Sequence, residues 1–153
     1  MKYQNIDLIR EQLDITLKKF APLKSISPPP KGWIRAIRNA LGMSGQQLAN
    51  RLGVNKQRVS RIEKDEIEGR VTINTLRKIA NALDCEFVYG FVPHASLENT
   101  LESQAKKIAQ ERMDKVFHTM SLEQQGLSAK NKKKAIEHEA KVIITNPSSA
   151  WND

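Results

Sequence analysis

Apolar side chains recur at helical spacing along most of the chain, and they predict a protein built from α-helices. Leu48, Ala49 and Leu52 share one face of a helix that begins at about Gly45, and further on Val59 and Ile62 share a face at i, i+3. Similar stripes predict helices over residues 3–20, 32–42, 72–83, 96–118 and 128–143. The predicted fold class is therefore all-α.

One segment breaks the helical pattern. Residues 85–92 are short, β-branched and aromatic, and Pro93 ends them, so they predict a single strand. A lone strand needs a partner. The partner is either the same strand of a second copy, paired antiparallel about a twofold axis, or the N-terminal arm or an extended tail of the same chain. The sequence favours neither alternative.

Proline divides the chain into predicted segments. The run from Pro28 to Pro30 cannot continue a helix and favours extended polyproline geometry. An N-terminal arm separated in this way packs on a partner subunit or folds back on its own domain, and the pattern leaves both open. We predict a helical arm at 1–21, a Pro-rich connector at 22–31, a helix-turn-helix domain with a terminal strand at 32–93 and a C-terminal helical region at 94–153.

Residues 44–64 carry the capping and turn residues of a helix-turn-helix. Ser44 and Gln47 have the spacing of a capping box, and Asn55 can cap the second helix. Between the two helices, Gly53 supplies the left-handed turn residue at no steric cost. This spacing is typical of a motif whose second helix enters the DNA major groove. Sequence-specific DNA binding is therefore the first hypothesis.

The distribution of charge supports this hypothesis. Residues 31–64 hold eight Lys and Arg against Glu63 alone, so this stretch carries +7 of the chain's net +8. A solvated helical hairpin would mix positive and negative charges, whereas a surface that displaces counterions from phosphates concentrates one sign. A partner that is an acidic polymer is expected.

Other classes of function lack the residues they need. Cys85 is the only cysteine, which excludes an internal disulfide, and its apolar surroundings predict a buried side chain. His94, His118 and His138 are scattered without the spacing of metal ligands. We therefore expect no enzyme, no metal site and no cofactor. No apolar run approaches the length of a spanning helix and residues 1–19 are unlike a signal peptide, so we expect a cytoplasmic protein without membrane contact.

Three ordered blocks carry a more specific signal: Pro-Pro-Lys-Gly-Trp-Ile-Arg-Ala-Ile-Arg-Asn-Ala-Leu-Gly-Met-Ser-Gly (29–45), Ala-Leu-Asp-Cys-Glu-Phe-Val-Tyr-Gly-Phe-Val-Pro (82–93) and Met-Ser-Leu-Glu-Gln-Gln (120–125). Together they resemble the family called mobile mystery protein A, over about Pro29 to about Gln125. The central domain is similar to that of Cro and phage-repressor type regulators. The resemblance implies a five-helix repressor-like helix-turn-helix domain, extended by helices at both ends and by the one short strand.

Members of this family are encoded beside a partner with a Fic/Doc domain, the fold that transfers AMP or a related group to target proteins. The resemblance implies an antitoxin-like repressor, which binds this partner and represses their shared promoter. It is expected to act as a homodimer on a palindrome whose half-sites lie about one helical turn, roughly 34 Å, apart. The alternative is a protein-interaction module that neutralises a partner through its terminal helices without specific DNA binding.

The repressor pattern, carried over to this sequence, supplies candidate contacts. Lys56, Gln57 and Arg61 occupy the positions that face base edges, where Gln can pair with adenine and Arg or Lys with guanine. The residues expected at phosphates are Arg35, Arg38, Gln46, Asn55, Arg58, Ser60 and Lys64. The loop that follows holds three acidic residues where amides and glycines are common, and they weaken the case for phosphate contacts there: Asp65, Glu66 and Glu68.

A motif of antitoxins that inhibit Fic proteins is Ser or Thr, three residues, Glu, and then Gly or Asn. Its Glu blocks the arginine that would hold the ATP γ-phosphate. Thr119 and Glu123 have the first spacing, whereas Gln124 stands where Gly or Asn is expected. We therefore expect the whole C-terminal helical region, rather than this motif alone, to be the partner surface.

Lysines crowd the start of the last predicted helix, over residues 130–134. Positive charges at a helix start oppose the helix dipole and weaken the helix unless an anion is nearby. These lysines either contact phosphate or are solvated, and the sequence alone favours solvation.

Overall fold

The computed structural model describes residues 4–123 and 126–152. Over these residues the chain forms α1 (Gln4–Lys18), α2 (Trp33–Ala40), α3 (Gly45–Leu52), α4 (Lys56–Ile67), α5 (Ile73–Ala82), α6 (Leu97–Leu122) and α7 (Ala129–Thr145), with 3-10 helices at Ala21–Ser25 and Pro147–Ala150. The part of the chain that the structure describes contains no strand. The predicted all-α class is confirmed.

The chain divides into two compact units. The central unit is Pro22–Gly90 and contains α2 to α5, and the terminal unit is Met1–Ala21 together with Phe91–Asp153. The prediction counted five helices in the helix-turn-helix domain, and four α-helices are found there among the described residues. Asp84, with φ +56, turns the chain out of α5, and the residues that follow do not resume a helix.

The strand predicted for residues 85–92 is wrong for the single chain. In the described structure residues 85–93 are irregular, and residues 86–93 make no backbone hydrogen bond within it. A strand exists only where a neighbouring strand satisfies its N–H and C=O groups, and no such neighbour is present among the residues described. The prediction of a buried Cys85 is wrong as well, because this segment runs along the surface and leaves the side chain exposed.

The core of the central unit lies between its four helices. Leu48 and Ala49 of α3 are completely buried, and Val59 and Ile62 of α4 pack against them, as the sequence predicted. The small side chain of Ala49 allows α3 and α4 to approach closely. The other buried members of this core are Ile34, Ile79 and Leu83.

The predicted caps fix the helix-turn-helix. Gln47 N–H donates to Ser44 Oγ (3.1 Å) and Ser44 N–H donates to Gln47 Oε1 (2.7 Å), which completes the capping box at the start of α3. Gly53 ends α3 with φ +67, and Asn55 Oδ1 accepts from Arg58 N–H (2.8 Å) at the start of α4. The geometry between α3 and α4 therefore follows from local sequence.

The start of α2 is capped by a residue distant in sequence. Trp33 N–H donates to Glu66 Oε1 (2.8 Å) and Ile34 N–H donates to Glu66 Oε2 (3.1 Å). Gly32 precedes them at φ +80, and a Cβ atom there would lie 2.5 Å from Glu66 Oε2. The end of α4 is thus joined to the start of α2, and Gly32 makes room for the joint.

We expect Gly32→Ala to lower the free energy of unfolding by about 2–3 kcal/mol, because it adds a strained φ and displaces the Glu66 carboxylate from the two N–H groups that it caps. Urea denaturation measures the change. Gly42→Ala is the matched control, since Gly42 has φ +65 but no atom within 4 Å of the added Cβ, and it should cost only about 1 kcal/mol. Equal losses in the two variants would contradict a steric role for Glu66.

The terminal unit is a pair of packed helices to which α1 is attached. Alanines at positions 105, 109 and 140 let α6 and α7 pack closely around Leu101 and Ile143. Asp14 of α1 accepts from the N–H groups of Leu97 (2.7 Å) and Glu98 (3.2 Å) at the start of α6. The arm therefore packs on a helix of its own chain.

A polar contact also joins α1 to α6. Arg10 forms an ion pair with Glu98 and a second one with Asp7 (2.6 Å). Burial of the guanidinium opposes its charge, but the two carboxylates outweigh this effect and raise the pKa of Arg10. Because polar residues take the side facing α6, the apolar stripe of α1, including Leu8 and Leu13, stays exposed in the described structure.

Candidate nucleic-acid interface

Helix α4 has one buried face and one polar face. Val59 and Ile62 are buried, whereas every residue of α4 that the sequence assigned to DNA is exposed. Gln57, Arg61 and Lys64, spaced i, i+4 and i+7, lie opposite the buried face. The polar face is therefore free to meet a ligand.

Two of the three base-reading candidates, Gln57 and Arg61, lie on this face, and the third, Lys56, is exposed at the start of the helix. Lys56 is the first residue of α4, and its aliphatic stem runs beside Gly45 at the start of α3. Gln57 and Arg61 are one helical turn apart. The Arg61 side chain is 75% exposed, and its Nε is 3.9 Å from Asp65, too far for a hydrogen bond. The guanidinium donors of Arg61 therefore remain available to a base.

Most of the phosphate candidates are accessible at the surface of the central unit. Arg35, Arg58, Ser60 and Lys64 are exposed, and the Lys64 ammonium is 3.9 Å from Glu68. Gln46 is also exposed and donates to Asn50 Oδ1 (2.8 Å).

The side-chain oxygen of Asn55 accepts the hydrogen bond that caps α4. Its amide group can still donate to a phosphate. With the exception of Arg38, the structure leaves donors of the phosphate candidates accessible.

Arg38 is placed differently from the other candidates. Its Nε donates to Glu63 Oε1 (2.7 Å), its Nη1 to the Met43 carbonyl (2.8 Å) and its Nη2 to Glu63 Oε2 (3.4 Å). The Arg38 side chain is 11% exposed and that of Glu63 is 10% exposed. These contacts occupy the guanidinium inside the domain, so Arg38 joins α2 to α4 and does not face a phosphate in this structure.

The acidic residues at the end of α4 and just after it are also occupied within the domain. Asp65 accepts from Arg70 Nη2 (3.2 Å), Glu68 pairs with the same guanidinium, and Glu66 caps α2. Their charges are therefore partly neutralised by neighbours of the same unit.

The exposed cations of residues 31–64 keep the full positive charge of this stretch. Arg38 and Glu63 cancel each other in the interior, and every remaining cation is exposed: Lys31, Arg35, Arg51, Lys56, Arg58, Arg61 and Lys64. The net +7 of this stretch therefore lies entirely at the surface, where it can attract a polyanion.

Sequence reasoning missed two contacts that hold the central unit together, and a signal existed for each. Glu63 is the single acidic residue in a basic stretch, which indicates a specific cationic partner. The start of α2 has no capping side chain of its own, because Gly32 occupies the cap position. The free N–H groups at the start of a helix need hydrogen-bond acceptors, and the carboxylate of Glu66 supplies them from a distant part of the chain.

The Fic-motif candidates lie at the end of α6, in the terminal unit. Thr119 Oγ1 donates to the Lys115 carbonyl (3.1 Å), and Glu123 is the exposed residue that follows the helix. Gln124, the position at which the motif departs from the pattern, lies outside the described residues.

Comparison with known families agrees with this geometry. The family model described as Helix-turn-helix matches residues 34–89, which include all of α3 and α4. No curated protein and no solved structure matched the chain. The chain therefore contains a helix-turn-helix domain, and this supports a DNA-binding regulator of transcription. In the described residues, no helix is both long and apolar enough to traverse a bilayer.

Proposed function

We propose that this protein is a sequence-specific transcriptional repressor that also acts as the antitoxin of a Fic/Doc-type partner. The observation that carries the DNA-binding half is the exposed polar face of α4, in a stretch whose surface charge is positive throughout. Such a face neutralises phosphates and offers donors to base edges at the same time.

In this proposal α4 enters the major groove. Gln57 pairs with an adenine, and Arg61 and Lys56 donate to guanine O6 and N7. Arg58, Lys64 and Arg35 neutralise phosphates, while Gln46 contacts the backbone from the start of α3. The phosphate contacts hold the helix in register, and the three base contacts select the sequence.

The repressor is proposed to bind as a homodimer. The irregular segment 86–90 offers unsatisfied backbone groups and exposed Val88 and Tyr89 side chains. It borders an apolar groove of about 590 Å³, lined in part by Ile26, Trp33 and Leu83. Pairing with the same segment of a second copy would satisfy the backbone and cover this surface, and a twofold dimer suits a palindromic site.

The antitoxin half rests on the family resemblance and on the terminal unit. The exposed apolar stripe of α1 includes Leu8, Ile9 and Leu13, and exposed apolar surface of this kind favours contact with another protein. Thr119 and Glu123 are the proposed inhibitory residues within a larger partner surface. The same stripe favours the second candidate function, a module that neutralises its partner without specific DNA binding.

A mobility-shift experiment tests both halves. The full chain is titrated onto the DNA upstream of its own gene and onto a scrambled duplex, with and without the product of the neighbouring gene. We expect preferential binding of the upstream DNA, by about 10³-fold or more, and a change in mobility when the neighbouring product is added. Equal binding to the two duplexes would overturn the repressor and leave the interaction module, whereas an unchanged mobility would overturn the antitoxin.

A further inference from the structure

A second cationic surface lies on the terminal unit. It consists of Lys106 and Lys107 of α6 and Lys130, Lys132, Lys133 and Lys134 of α7, and we call it the lysine surface. Lys106, Lys132 and Lys133 line one groove between the two helices, together with Gln110. Lysines of α6 and α7 that are far apart in sequence are thus brought to one groove, which the pattern of α7 alone could not reveal.

The charges of the lysine surface are not neutralised within the unit. None of its six ammonium groups has a carboxylate within 4.0 Å among residues 4–123 and 126–152. Glu137 also lines the groove and is the acidic residue that shares it. Three lysines against this one carboxylate leave the groove with a net positive charge, and the other three lysines of the surface are on the same two helices.

The arrangement is unfavourable for the isolated helix. Lys130, Lys133 and Lys134 share one exposed face in the first turns of α7, where they repel one another and oppose the helix dipole. Lys132 is the exception, because its ammonium lies 5.5 Å from the centre of the Phe117 ring. For the other lysines of this helix start, a polyanion outside the unit is the partner that would make their charge favourable.

We propose that the lysine surface binds the phosphate backbone of duplex DNA beside the site read by α4. This inference rests on the proposed function, because it extends the DNA contact of the same molecule. Lysine is depleted at protein–protein interfaces, where aromatic residues and arginine are enriched, but it suits sequence-independent neutralisation of phosphates. The chemistry of the surface therefore fits nucleic acid better than an acidic protein.

The connectivity of the chain strengthens the contact. The backbone passes between the units twice, after Ala21 and after Gly90, so the lysine surface is tethered to the DNA-binding unit. Once the central unit is bound, flanking phosphates are present at a high effective concentration for the tethered surface. Individually weak contacts are sufficient under these conditions.

The salt dependence of DNA affinity tests the proposal. The full chain is titrated onto a scrambled duplex of about 40 base pairs, which exceeds two half-sites, over a series of salt concentrations. The triple variant K106Q/K130Q/K133Q should reduce the slope of log affinity against log salt by about 2 to 3, at about 0.9 for each phosphate contact. The matched control K18Q/K19Q/K115Q removes three exposed lysines of the same unit outside this surface and should leave the slope unchanged.

Two further measurements distinguish a loss of DNA contacts from a loss of folding: circular dichroism, and the salt slope on a shorter duplex. Circular dichroism should show unchanged helicity and a Tm that is equal or higher, since the lysines oppose the dipole of α7. On a duplex of about 20 base pairs, without flanks, the two variants should have nearly the same slope. If the triple variant and the matched control had equal slopes on the longer duplex, the proposed DNA contact of the lysine surface would be overturned, even with the upstream DNA still preferred. Loss of that preference in the wild-type chain would instead overturn the proposed function.

Discussion

Replacement of Arg38 by methionine is expected to lower the free energy of unfolding by about 3–5 kcal/mol. Glu63 would then keep its charge in the interior of the domain without the guanidinium that now binds both of its oxygens, and the Met43 carbonyl would lose its donor. Urea denaturation of the full chain, followed by circular dichroism, measures the loss. It is the largest effect on stability that we expect from a single polar residue of the central unit.

Two controls distinguish this structural role from a contact with DNA. The double variant R38M/E63L removes both charges and should recover most of the lost stability, since an apolar pair of similar volume is often as stable as a buried ion pair. Arg35→Ala, on the same helix but exposed, should leave stability within about 0.5 kcal/mol and weaken binding to all duplexes alike. If Arg38→Met left the fold unchanged and reduced DNA affinity instead, the original assignment of Arg38 to a phosphate would be correct.

The triple variant K56A/Q57A/R61A is expected to abolish the preference for upstream DNA over a scrambled duplex. Each good bidentate contact discriminates by about 1–3 kcal/mol, so the three together can supply the roughly 4 kcal/mol that a preference of about 10³-fold requires. Fluorescence anisotropy with both duplexes gives the ratio of affinities directly. Because the three side chains are exposed, the free energy of unfolding should stay within about 1 kcal/mol of the wild-type value.

A change at a phosphate position provides the contrast for this prediction. Arg58→Ala removes a cation from the same helix. It should lower the affinity for both duplexes by the same factor and leave the ratio of the two affinities unchanged. If Arg58→Ala altered the ratio while the triple variant preserved it, the assignment of base and phosphate contacts on α4 would be reversed.

Local sequence was sufficient to predict most of the helix-turn-helix. The capping box of Ser44 and Gln47, the turn at Gly53 and the cap at Asn55 depend on residues within three or four positions, and all of them are present. The inward positions of α3 and α4 follow from helical periodicity in the same way. Interactions within one helical turn are encoded locally, so they can be predicted without knowledge of the fold.

The contacts that escaped prediction join residues far apart in the chain. Arg38 and Glu63 are 25 positions apart, and Glu66 reaches back to Trp33 over 33 positions. Arg38 was assigned to a phosphate because its charge suits one, but which cation turns inward depends on how α2 crosses α4. The strand at 85–92 failed for a related reason, since β-propensity indicates suitability for a sheet and cannot supply the neighbouring strand.

In the proposed function the two faces of α4 have separate roles, because the inward face stabilises the domain and the outward face selects the DNA sequence. Glu63 and Glu66 hold α2, while the side chains of Lys56, Gln57 and Arg61 are exposed and lie outside the core. These three outward residues can therefore be replaced together without changes elsewhere in the domain. A library randomised at those three positions should consist mainly of folded proteins, and selection from it would retarget the regulator to new operators without redesign of its scaffold.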